Sequence, residues 1–158
     1  MRRISSIVLA TLVGAGGAWA ADLPSKFHAR GERGAATLVY EASEDRGHRL
    51  RFTCDRTTGA IVVRPELAVT GFKAGDPTAI TLSSKGGRSV IAATVSRDRR
   101  SGEMMAAGKL SRPGDLVRLL NRGTRLEVDV SDTFMSVRLN RRTRAEFAQF
   151  RARCPSLR

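Results

Sequence analysis

Histidine, cysteine and the large aromatics are scarce in this 158-residue chain, which has two His, two Cys, one Trp, one Tyr and six Phe. Each shortage excludes something. His28 and His48 are the only imidazoles, so a nucleophile–base pair has few ways to form. Neither Gly-x-Ser-x-Gly nor His-Glu-x-x-His occurs. No Cys-x-x-Cys is present, which argues against a thioredoxin-type centre. The spacings of two Cys and two His fit no zinc-finger pattern, and no metal or cofactor is expected. Few aromatics leave little for base stacking, which argues against nucleic acid as a partner. Acidic residues are also short, 15 against 28 Lys and Arg. Beyond the N-terminus no apolar run is long enough to cross a bilayer.

What is present begins with an address. Arg2 and Arg3 precede an apolar run from Ile7 to Val13, then Gly14–Ala18, and the segment closes in Ala18-Trp19-Ala20. Positive start, apolar middle and small-x-small ending form the layout of a secretory signal peptide. The run is shorter than the ~20 residues that span a membrane, so cleavage near Ala20/Ala21 and Sec-type export are expected. The expected location is the periplasm or the medium. Gly14-Ala15-Gly16-Gly17 belongs to this leader and is not read as a phosphate loop.

Cleavage removes two arginines and no acid, which lowers the formal charge from +13 to +11. Only Lys26, Lys73, Lys85 and Lys109 are lysines; arginine supplies the rest of the excess. Guanidinium forks suit carboxylates and phosphates. Two groups, Arg97/Arg99/Arg100 and Arg141/Arg142/Arg144, are the candidate anion-binding residues. Solubility alone is the plainer use of such charge.

Cys54 and Cys154 form an even pair in an exported chain, which reads as one disulfide. It would close a loop of about 100 residues, worth roughly 4.7 kcal/mol in the chain-entropy model.

Residues 1–20 are thus read as leader, 21–36 as a flexible lead-in, and 37–158 as a single β-rich domain. Thr37–Ala42 suggests a first strand, with a turn at Glu44–Gly47. In Arg49–Asp55, Leu50, Phe52 and Cys54 alternate with charged or polar residues, the period of a half-buried strand. Ala60–Arg64 follows, ended by Pro65. Ala79–Ser83 and Arg88–Ser96 flank Ser84-Lys85-Gly86-Gly87, a hairpin signal, and Glu103–Leu110 is a further strand. Its Met104-Met105 pair reads as core filler. Pro113 and Asp115 open a short helix that Gly123 closes. Thr124–Ser131 and Thr133–Leu139 make a second hairpin. Asn140 caps a last helix at roughly Thr143–Arg153, with Thr143, Phe147, Phe150 and Cys154 on one stripe. Asp129 and Asp132, near that hairpin's turn, read as solvated carboxylates rather than an acid–base pair. The expected fold is mainly β: a small antiparallel sandwich or partly open barrel, with a short helix and a C-terminal helix packed on it.

The run Leu116-Val117-Arg118-Leu119-Leu120-Asn121-Arg122-Gly123-Thr124-Arg125-Leu126-Glu127-Val128 is a helix, a glycine and a strand. Met135–Leu139 and a helix reaching Cys154 follow. Over Asp115 to Cys154 this resembles the ending of small exported proteins of the invasion-associated locus B family. It is also similar to the periplasmic accessory family of type VI secretion. The resemblance implies a β-rich, non-enzymatic envelope protein linked to host interaction or secretion, and it carries no site residue. Two functions are therefore expected to compete. One is binding of an envelope or secreted protein. The other is binding of anionic envelope material, such as lipopolysaccharide, anionic lipid or acidic glycan.

Overall fold

The computed structural model describes residues 31–32, 34–41 and 47–158. The leader, His28, most of the lead-in and the Glu44–Arg46 part of the first turn lie outside the described residues.

Alternating burial builds the sheet. In β3 (Arg49–Asp55), Leu50, Phe52 and Cys54 are fully buried while their neighbours face outward. The same period of two runs through β2 (Ala35–Glu41) and β4 (Ile61–Pro65). It runs also through β6 (Gly87–Arg97) and β8 (Arg125–Val130). With β1 (Gly31–Glu32), β5 (Pro77–Ser84), β7 (Met104–Lys109) and β9 (Thr133–Arg138), these form one antiparallel sheet. Its order is β1-β2-β3-β4-β7-β6-β5-β8-β9. Residues 35 and 36, assigned to the lead-in from sequence, already belong to β2.

The sheet curls into the expected partly open barrel, and the two helices complete it. The connection from β7 to β8 must pass over β6 and β5. It does so as α1 (Pro113–Asn121), which packs on those two strands through Leu116, Leu119 and Leu120. α2 (Arg141–Arg153) leaves β9 and packs on β2, near the opposite edge of the sheet. It therefore fills the gap that the open barrel leaves. Tyr40 on β2 donates its hydroxyl to the Thr143 carbonyl on α2 at 3.2 Å.

The C-terminus is then bolted down. Cys54 on β3 and Cys154 after α2 form a disulfide with their Cα atoms 5.8 Å apart. That separation is ordinary for the bond. A 3-10 turn, Pro155–Leu157, follows; Ser156 donates its hydroxyl to the Gly59 carbonyl at 2.7 Å. The interior is filled with side chains, among them Tyr40, Phe52, Phe147, Phe150 and Ile80. Each such buried side chain is worth about 1.5–3 kcal/mol of transfer free energy.

Candidate anion-binding cleft

The β5–β6 turn, Ser84-Lys85-Gly86-Gly87, is pressed against α1 and cannot be rebuilt freely. A Cβ on Gly86 would stand 2.1 Å from the Arg118 carbonyl oxygen, so only glycine fits. Ser84 donates its hydroxyl to the Leu119 carbonyl at 2.9 Å and accepts the Gly86 N–H at 2.9 Å. Gly123, with φ +86°, ends α1 and brings the chain against Lys85. Arg144, in the first turn of α2, donates to the Gly123 carbonyl at 2.6 Å. Three elements far apart in sequence thus meet at one end of the barrel.

Their meeting leaves an open cleft of about 580 Å³. Lys85, Arg125 and Arg144 line it, with Glu127 and the hydroxyl-bearing Ser83 and Thr124. Strand pairing explains the convergence. Ser83 on β5 pairs with Glu127 on β8, the last pair of that register, and the chain just beyond brings Lys85 against Gly123 and Arg125 to the same cleft. Arg125 is in turn paired in register with Arg138 on β9. Lys85 and Arg125 are exposed and have no acidic ion-pair partner among the described residues.

The six arginines singled out from sequence do not converge. Arg97 ends β6, and Arg99 and Arg100 sit in the β6–β7 turn, at the end of β6 remote from Gly87. β6 is eleven residues long, so about 30 Å of strand separates the two turns. Asp98 lies within that arginine group and forms an ion pair with Arg64. Backbone N–H bonds from Ser101 and Arg100, and then the Arg64 charge, hold the Asp98 carboxyl below its usual range. Arg97 donates to the Gly102 carbonyl at 3.0 Å. At the other end, Arg142 is engaged with Glu146 at 3.0 Å and Arg141 is exposed; Arg144 alone of the six lines the cleft. Lys85 and Arg125 were missed because the β5–β8 pairing that unites them spans the whole of α1. The one local signal was a lysine inside a glycine-rich hairpin turn.

Both cysteines are consumed by the disulfide and so cannot serve as thiolate ligands. Among the described residues no group of three or more His, Cys, Asp or Glu is placed to hold a metal. No described helix is long and apolar enough to cross a membrane. His48 is half-buried, with Nδ1 3.3 Å from the Glu66 carbonyl oxygen. Asp129 and Asp132 are exposed, and Asp132 accepts the Thr70 hydroxyl at 3.5 Å.

The perturbed groups lie elsewhere, under α2. Glu146 is 8% exposed and its Oε2 has no hydrogen-bond partner among the described residues. Burial pushes its carboxyl above the usual range, and the hydrogen bond and charge of Arg142 offset part of that. Burial, and then the Glu146 charge, push the Tyr40 hydroxyl far up. These groups are packed between helix and sheet and do not line the cleft.

Comparison of the chain with family models, curated proteins and solved structures found no match. The fold and the cleft therefore define the molecule by themselves: a disulfide-bolted β half-barrel closed by two helices, with a basic cleft at one end.

Proposed function

We propose that this is an exported, non-catalytic envelope protein that works by binding another protein through its outer surface. It would serve as an accessory to a secretion or host-interaction system, as the resemblance over Asp115–Cys154 implies. The observation that carries the binding reading is an inversion of the usual small-ligand barrel. The interior is packed with side chains, while large apolar groups stand outside on one side of the sheet. Phe134 is 74% exposed and Val90 58% exposed. The pairings Val90–Thr81, Thr81–Asp129 and Asp129–Phe134 set these four residues in one row across β6, β5, β8 and β9. Phe134 and Val90 stand at the two ends of that row, about 14 Å apart, and an exposed aromatic is a common anchor at protein interfaces.

A photo-reactive phenylalanine analogue at position 134 tests this in cells. A discrete adduct with one envelope protein, lost when Val90→Glu is added, supports the reading. Adducts with abundant bystanders only, or adducts indifferent to Val90→Glu, overturn it.

A second reading, binding of anionic envelope material, is favoured by the cleft, where three cations face one carboxylate. Such binding weakens steeply with salt, because screening shortens to about 8 Å near physiological ionic strength.

A further inference from the structure

We propose that the cleft between the β5–β6 turn, the start of β8 and the first turn of α2 is a binding site for a terminal phosphate monoester. Lys85, Arg125 and Arg144 would be its cationic ligands. This rests on the second reading above and names its site and ligand. Three observations lead there. The first is charge. The three cations face only Glu127, so the cleft carries a surplus of two positive charges. A phosphate monoester brings close to two negative charges at neutral pH, which balances that surplus. A single carboxylate or a phosphodiester would leave one charge over.

The second is the lack of competing partners. Neither Lys85 nor Arg125 has an acidic partner among the described residues. At the far end of the barrel the position differs, since Asp98 already sits within the other arginine group. The third is rigidity. The Ser84–Leu119 and Arg144–Gly123 hydrogen bonds and the close approach at Gly86 fix the rim, so little ordering entropy is left to be lost on binding. Thr124 adds a hydroxyl beside the cations, while the Ser83 hydroxyl is directed at the Glu127 carboxylate at 3.5 Å.

A phosphate monoester could come from free phosphate, from a phosphorylated glycan or from a lipid headgroup, and the test separates free from membrane-borne sources. The mature protein is titrated with inorganic phosphate, and separately with phosphatidylcholine vesicles doped with phosphatidic acid or with phosphatidylglycerol. The expected result is preference for phosphatidic acid over phosphatidylglycerol at equal surface charge. Lys85→Gln/Arg125→Gln should weaken that binding at least about tenfold, the scale of one lost charge-assisted hydrogen bond. Arg97→Gln/Arg99→Gln/Arg100→Gln, at the opposite end, should change it less than about twofold. Weak but cleft-dependent binding of inorganic phosphate supports the site and assigns it to a soluble source if vesicles fail to bind. If both vesicle types bind equally and the two multiple variants weaken binding alike, the cleft is overturned and general cationic binding survives. If neither phosphate nor any anionic vesicle binds at low salt, both fall. The substituted side chains are exposed, so circular dichroism of the variants should match the parent.

Discussion

Glu146 is a carboxylate in the wrong place by ordinary rules, because it is nearly buried and, among the described residues, only Arg142 offsets it. Burying a charge without full hydrogen bonding costs free energy, and the group answers by holding its proton more tightly. Its folded-state pKa is raised above the ordinary value of 4.5, so the native state binds more protons than the unfolded state between the two values. Stability due to this group is therefore present below its unfolded pKa and is lost as pH rises through the folded one. Glu146→Gln should remove that slope. Urea midpoints measured from about pH 4 to pH 7 should fall less steeply with rising pH in the variant, which should be at least as stable as the parent at neutral pH. A variant less stable at neutral pH, with the slope unchanged, would show that the Arg142 pair outweighs the burial cost. The sequence did not reveal this residue. The helical stripe Thr143, Phe147, Phe150, Cys154 was legible, but Glu146 sits at its margin. Whether a marginal position is covered depends on how the helix is rolled against β2, which no local pattern specifies.

At the scale of elements, local rules carried far. β3 lies where the alternation of Leu50, Phe52 and Cys54 placed it. α2 begins at Arg141, two residues before the expected start, because Asn140 and Thr143 form a reciprocal capping box. Asn140 accepts the Thr143 N–H at 3.0 Å, and the Thr143 hydroxyl accepts the Asn140 N–H at 2.8 Å. Once Asn140 is the cap, helical residues must start immediately after it. β5 begins at Pro77 rather than Ala79, since proline is tolerated as a strand's first residue. α2 is held by one covalent bond and by the packing of Phe147 and Phe150. Its composition is arginine-rich and its apolar stripe narrow, so the bond matters more than usual. Replacing both cysteines, Cys54→Ser/Cys154→Ser, should cost about 2–5 kcal/mol. Hydrogen exchange should show α2 amides losing protection before those of β5 and β6. Equal loss of protection throughout would mean that the disulfide steadies the whole barrel rather than the helix.

At the scale of the molecule, strand order lay beyond the sequence. Hairpin signals identify neighbours joined by short turns, such as β5–β6 and β8–β9. They say nothing of β4 beside β7 or β5 beside β8, which pair only after long connections close. The cleft depends on the second of those pairings, which is why composition pointed to arginine clusters and topology put the basic site elsewhere. The same topology splits the charge between two ends of the barrel, so the formal net charge of +13 does not describe a single basic face. Both proposed activities presuppose an oxidising compartment outside the cytoplasm, in which the Cys54–Cys154 bond persists. Intact-mass analysis of native protein recovered from the envelope fraction tests that premise most directly. The account predicts a chain beginning at or near Ala21, two hydrogens lighter than its reduced form and without free thiol. A cytosolic chain that retains its leader and carries two reactive thiols would contradict it.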